Sequence, residues 1–264
     1  MTELLTEATE NGIRRLTLND PATRNSLSAA MIAALRSALA RSADDPEARV
    51  IVIASTGPVF SSGHNLKEIT ASRAASDGGW AYLTQLFSDC ASLMQEIVRH
   101  PRPVIAAVQG LASAAGCQLV ASCDLAIAAD TAGFCTPGVN IGLFCSTPMV
   151  ALSRDVQPKQ AMEMLLTGDV IPATEAQRIG LINRAVSHNL LSKTVDELAL
   201  KIASKSGVTL KTGKEAFYRQ IDLPLAEAYA YAARVMTENA LAADACEGIS
   251  AFLEKRKPQW GGKG

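Results

Sequence analysis

The sequence predicts an α/β core followed by an all-helical last third. Three observations carry that prediction. Continuous apolar runs such as VIVIAS (50–55) and VIAAV (104–108) read as strands covered on both faces, the pattern of parallel sheets. Segments with apolar residues at spacings of three and four lie between them, as helices would. After Ser146 the strand signals fade: 181–186 is at most one short strand, and helical patterns dominate. The core is assigned to residues 1–200 and the helical unit to 201–264.

Taken in order, GIRRLTLND places Leu16 and Leu18 two apart and reads as a strand, ended by Asn19-Asp20-Pro21. A helix over 28–42 starts at Ser28 as N-cap, and Ile32, Leu35 and Leu39 form one stripe. Asp44-Asp45-Pro46 stops it ahead of the strand 50–55. TGPVFSSGHNLKE (56–68) turns from strand to helix, and 71–79 reads as a mobile connection. A long helix over 80–99 lines up Leu83, Phe87, Cys90, Met94 and Ile97 on one face, and Pro101 and Pro103 end it. Strand 104–108 then leads into a small-residue loop (110–116), a short helix begun at Cys117, a strand over 125–129 and a loop rich in Gly, Pro and Cys. Further helices are read over 159–166, 174–179, 190–206, 208–220, 225–242 and 245–256, and the final GGKG is expected to be disordered.

Composition narrows the function. The 264 residues carry a formal charge of −1, which offers nothing to nucleic acid or an anionic membrane. No apolar run approaches the roughly 20 residues of a membrane span. The N-terminus MTELLTEATENG fits neither a secretory nor an Arg-rich transit segment, so the cytoplasm is the default compartment. Six cysteines without a CxxC pair read as reduced core thiols. The three histidines form no helical metal pair, and neither a metal nor a separate cofactor is expected. GVTLKTGK (207–214) falls short of a phosphate loop, with one residue too many between its glycines and Glu215 where Ser or Thr is required. No GxSxG and no GxGxxG occurs.

The loop at 110–116 is the chemical clue. Gly and Ala let a ligand approach the backbone closely, and the helix that follows turns unpaired N–H groups towards negative charge. Such a loop suits a developing oxyanion held by main-chain donors.

Four stretches carry a family likeness: NDPATRNSLS (19–28), PVFSSGHNLKE (58–68), AAVQGLASAAGCQLVASCDLAIAAD (106–130) and FCTPGVNIGLF (134–144). With 162–186 and 247–260 they span nearly the whole chain, and together they resemble the crotonase superfamily, the enoyl-CoA hydratase/isomerase group. The resemblance implies a spiral of ββα turns, C-terminal helices that assemble trimers or dimers of trimers, and an acyl-CoA thioester as ligand in acyl-CoA metabolism. It also implies that the backbone N–H groups of His64 and Ala115 hold the thioester oxygen. Arg24, Ser26, Ser62, Asn65, Leu66 and Lys67 would line the CoA path, Thr136, Pro137 and Leu143 the acyl end, and Phe252, Lys255 and Lys257 would approach from the C-terminus, the lysines to meet a phosphate.

The chain departs from the hydratase pattern at two points. Gln118 stands in the slot of the first catalytic glutamate and Gly138 in that of the second. Neither can exchange a proton near neutral pH, whereas a positioned acid or base contributes about 10²–10⁴-fold. Cys145 is the one nearby candidate to substitute, against a plainer role as a small pocket residue. Glu68 and Asp124 read as structural. Hydratase activity created by Gln118→Glu with Gly138→Glu would show that the scaffold is intact and only the proton machinery is missing. An enzyme acting on thioesters and a silent acyl-CoA binder therefore both remain open.

Overall fold

Asn11 and Gly12 both have positive φ (52° and 81°), the geometry of a tight hairpin turn. They join β1 (Leu5–Glu10) to β2 (Ile13–Leu18), the antiparallel start of a computed structural model that describes residues 3–261. After α1 (Ala29–Asp44), whose first turn is capped by Ser28 Oγ accepting from Met31 N at 3.1 Å, come β3 (Val50–Ser55) and β4 (Val59–Ser61). The helices α2 (Leu66–Ser72) and α3 (Trp80–Arg99) complete that turn of chain. β5 (Val104–Val108), β6 (Leu111–Ser113) and α4 (Ala115–Ala121) repeat it, and β7 (Leu125–Ala129), β8 (Gly133–Cys135) and α5 (Pro148–Asp155) repeat it again. The chain continues through α6 (Pro158–Thr167), β9 (Ile171–Pro172), α7 (Ala173–Arg178), β10 (Arg184–Val186) and α8 (Leu191–Ala203), and ends in α9 (Gly207–Gln220), α10 (Leu225–Ala240) and α11 (Ala243–Leu253).

Each repeat sends its first strand to one sheet and its second to another. The larger sheet runs β1-β2-β3-β5-β7-β10, parallel from β2 onward, and the smaller runs β4-β6-β8-β9. This is the ββα spiral the resemblance implies. Val50 to Ile53 of β3 and Val104 to Ala106 of β5 are closed to solvent because both faces of the larger sheet are covered, with α1 and α8 among the helices packed against it.

Several local expectations need correction. β1 was not foreseen, since its LTEATE pattern is too polar to announce a strand, although Asn11-Gly12 is a hairpin signal. The small-residue loop contains β6, and α4 starts at Ala115 instead of Cys117 because Ala114 takes φ 51°, ψ −116° and breaks the chain direction there. On α3 the buried stripe is Leu86, Cys90, Leu93, Met94 and Ile97; Leu83 and Phe87 are only partly covered. α5, begun by Pro148, carries too few apolar residues to stand out. α8 runs across position 200 and lies against β3, β5 and β7. Gly261 N donates to Asp244 Oδ1 at 3.1 Å; the rest of the terminal GGKG lies outside the described residues.

Candidate active site

The site is built where β4 and β6 end side by side. Leu27 N donates to Gly63 O at 2.8 Å, and Leu27 and His64 form a single parallel bridge. In such a bridge the bonds come from the residues flanking His64, so His64's own N–H faces the opposite side. The start of α4 packs against this loop: a Cβ on Gly63 would stand 2.9 Å from Ala114 Cβ and 3.2 Å from Ala115 N. Only glycine, here at φ 83°, lets the two loops meet this closely. Ala115 is the first residue of α4, so its N–H has no partner within the helix. Ala114, in a conformation costing about 1–3 kcal/mol, is held by N donating to Cys135 O at 2.9 Å and by O accepting from Gln118 N at 3.0 Å. The strain fixes the direction of Ala115 N–H.

A second clamp went unnoticed in the sequence. Asn25, fully buried at φ 51°, donates through Nδ2 to Thr56 O and Val59 O, each at 2.8 Å, and accepts from Asp20 N at 2.9 Å. It ties the 20–27 segment to β4. Ser62 N then donates to Arg24 O at 3.0 Å and Ser62 Oγ to Thr23 O at 3.2 Å. Ser26 turns inward, its hydroxyl donating to Thr23 Oγ1 at 3.0 Å, and is buried. Asn65 caps α2 by accepting from Lys67 N at 3.0 Å. Arg24, Leu66 and Lys67 remain on the exposed rim. Glu68 is structural: its Oε2 accepts from Ala29 N at 3.1 Å and from Tyr82 OH at 2.9 Å. The His64 ring sets Nδ1 3.2 Å from Leu27 O and its edge against Phe87, with centroids 5.3 Å apart. Burial pushes its pKa down, and Nε2 has no partner.

Around the two departures the geometry is specific. Gln118 lies one turn along α4 from Ala115 and is buried, with no partner for Oε1. At Gly138 a Cβ would come within 2.0 Å of Leu143 O and 3.0 Å of Cys145 Sγ, because Leu143 N donates to Gly138 O at 2.9 Å and folds the loop over it. With the loop folded in this way, a side chain at 138 has no room. Burial pushes the Cys145 thiol up, only partly offset by its hydrogen bond with the Gly138 backbone, which favours the plainer role as a small pocket residue. Thr136 is fully buried with its hydroxyl donating to Met164 O at 2.9 Å, whereas Leu143 is exposed and Pro137 partly so. Phe252, Lys255 and Lys257 are exposed, and α11, on or just beyond which they lie, has α9 and α10 as its main neighbours. Within one chain they are not brought to the Gly63–Ala115 junction by any of these contacts.

Gln118 also lines a cavity of about 860 Å³ walled by α3, α4, α5 and α9. Its far end holds a polar group that the sequence reading touched only at Asp124. Lys214 Nζ donates to Ile97 O at 3.0 Å, Arg102 O at 3.1 Å and Asp124 Oδ2 at 2.6 Å. Tyr218 OH donates to Asp124 Oδ1 at 2.9 Å, and Asp124 Oδ2 accepts from Val104 N at 2.6 Å. The lysine of the failed phosphate loop thus pins α9 to the core. Asp155, at the end of α5, opens onto the same cavity, and desolvation by the surrounding protein pushes its carboxyl up to about 7. Residue type alone does not reveal that shift.

Two sheets fed by alternate strands of a ββα spiral, with the Gly63 loop packed against the start of α4, define a crotonase-type protein. The chain belongs to the enoyl-CoA hydratase/isomerase family, whose model matches residues 8–263. It is 48% identical over 250 residues to human "Enoyl-CoA hydratase domain-containing protein 3, mitochondrial", covering 95% of this chain and 81% of that protein. The crystal structure of the human protein of that name superposes with a TM-score of 0.93 at 46% identity, covering 98% of this chain and 100% of that one. A Mycobacterium smegmatis enoyl-CoA hydratase structure gives 0.93 at 45% identity, covering 98% and 99%. The family binds acyl-CoA. The cytoplasmic expectation is overturned, because the rat, frog, mouse and human relatives are named mitochondrial. No helix among the described residues is long and apolar enough to cross a membrane.

Proposed function

We propose that this chain binds acyl-CoA thioesters and polarises their carbonyl between His64 N–H and Ala115 N–H, without the two-glutamate hydration that the hydratase pattern implies. The meeting of Gly63 with Ala114 and Ala115 supports this reading, since it packs the loop that carries His64 against the start of α4. One such donor is worth about 3–4 kcal/mol to an enolate-like transition state. Arg24, Leu66 and Lys67 stand on the rim where the CoA moiety would lie. Ordinary hydration does not suit this site: Gln118 cannot ionise, position 138 has no space for a carboxylate, and burial pushes the Cys145 thiol up.

Loss of enoyl absorbance with crotonyl-CoA tests this. The expected rate is at least about 10²-fold below that of a two-glutamate hydratase; a comparable rate contradicts the proposal. A silent binder is the second reading, favoured by the absence of a titrating group at 118 and 138. Assembly as trimers or hexamers is proposed from α9 and α10, neither of which buries a residue within the chain. Phe252 and Lys255 would then meet a ligand across subunits. A monomer in sedimentation equilibrium contradicts that assembly.

A further inference from the structure

Resting on the thioester reading above, we infer that the imidazole of His64 is the positioning group of the proposed carbonyl clamp, and that acyl-CoA is held there only while that ring is neutral. The His64 N–H belongs to the peptide unit that also carries the Gly63 carbonyl. That peptide is trans and planar, so its C=O and N–H point in opposite directions. Gly63 O accepts from Leu27 N at 2.8 Å, which turns the His64 N–H away from Leu27. Whatever holds Leu27 therefore aims the donor.

The His64 side chain holds Leu27 from the other end. Its Nδ1 lies 3.2 Å from Leu27 O, and a carbonyl only accepts, so Nδ1 carries the proton. Leu27, fully buried, is thus gripped at its N–H by Gly63 and at its C=O by the ring. The ring packs edge to face with Phe87, centroids 5.3 Å apart, and its Nε2 is closed to solvent and has no partner. A lone pair tolerates such a place far better than a charged N–H does, and for that reason burial pushes the His64 pKa down.

To take up a second proton the ring must swing Nε2 into water, and the swing breaks the bond to Leu27 O. The groups around the ring set how readily that happens. Glu68 on α2 favours the proton, but its Oε2 is already engaged by Ala29 N at 3.1 Å and Tyr82 OH at 2.9 Å. On α3, Tyr82 and Cys90 stay neutral, since burial pushes each up to about 12. Arg24 and Lys67 stand exposed on the rim, and Ala114 and Ala115 bring no charge from the side of α4. His64 is then the group at this junction that changes charge on acidification, at a pH below its ordinary 6.5.

An NMR titration of the His64 ring in the full-length protein, free and saturated with butyryl-CoA, tests the inference. If binding needs the neutral ring, the ligand must in turn disfavour its protonation, because linked equilibria are reciprocal. The midpoint should move at least about one pH unit lower on binding, equivalent to a tenfold preference for the neutral form. Affinity for butyryl-CoA should be full above pH 6.5 and weaken as the pH falls through the ring's titration. His64→Ala should bind about tenfold more weakly at neutral pH, the equivalent of one net hydrogen bond. His64→Asn, whose amide keeps an uncharged donor for Leu27 O, should recover most of that loss and lack the ring's share of the acid weakening. Any share contributed by the CoA phosphates is common to parent and variant. Melting curves at each pH establish that the proteins are folded, and should His64→Ala unfold, the NMR titration decides alone. An unmoved midpoint overturns the inference and leaves the thioester reading standing. Failure to bind butyryl-CoA at any pH overturns both. Acid weakening undiminished in His64→Asn removes the ring as its cause.

Discussion

Gly138 illustrates how a single residue type can record a rearrangement of its surroundings. Its missing side chain is not an empty slot, for the Leu143 carbonyl and the Cys145 sulfur occupy that space. Gly138→Glu is therefore expected to lower stability by about 3 kcal/mol, the upper range for overpacking, read as the shift of the urea midpoint. An unshifted midpoint would mean that the 138–145 loop opens freely. Asp155 offers a test of opposite character. Its folded pKa, about 7, lies above the ordinary value of 3.8, so the folded state binds the proton more tightly. Its contribution is complete below pH 3.8 and lost as pH rises through 7. Asp155→Asn should consequently gain on the parent in urea stability between about pH 4 and pH 8, and a gap that stays constant with pH contradicts the assignment. Neither effect is written in the sequence, because each depends on which backbone or helix covers the residue.

At the scale of elements, legibility followed burial. β3, β5 and β7 were readable to the residue because strands covered on both faces are continuous apolar runs. α1 was readable from Ser28 and its stripe. β4, β6 and β8 are three residues each, too short for any periodicity, yet they bring Gly63 to Ala115. The composition of 110–116 pointed to the loop-to-helix start, with the helix placed two residues late, and the resemblance added Ala115 and His64 as its expected donors. Asn25 lay inside a quoted motif and passed unnoticed, because a buried asparagine at positive φ looks in sequence like any turn residue. The fastening of α9 makes a prediction at this scale. Lys214→Met leaves Asp124 with Tyr218 and Val104 but no cation, and breaking such a buried pair typically costs about 3–5 kcal/mol. About 3 kcal/mol is expected here, since two hydrogen bonds remain, together with earlier proteolysis of the α9–α11 region. Unchanged melting would show that α9 is held by other contacts.

The whole molecule joins two parts with different requirements. The sheets and α8 form a closed apolar core, whereas α9 and α10, with the turn between them, expose Phe217, Ile221, Leu225, Tyr229 and Met236. Burying one such side chain is worth about 1.5–3 kcal/mol, which gives these helices reason to seek a neighbouring copy. The larger sheet holds β3 and β5 in register, and β4 and β6 emerge from them already paired, so the spiral itself sets the proposed carbonyl clamp where Gly63 meets α4. The clamp is also the claim that matters most, and it leaves a spectroscopic trace. Isotope-edited infrared spectra of an acyl-CoA labelled with carbon-13 at the thioester carbonyl, free and bound to the protein, read the carbonyl bond directly. Two main-chain N–H groups donating to its oxygen should move the band to lower frequency on binding. A bound thioester whose carbonyl band stays at its solution position would contradict the account.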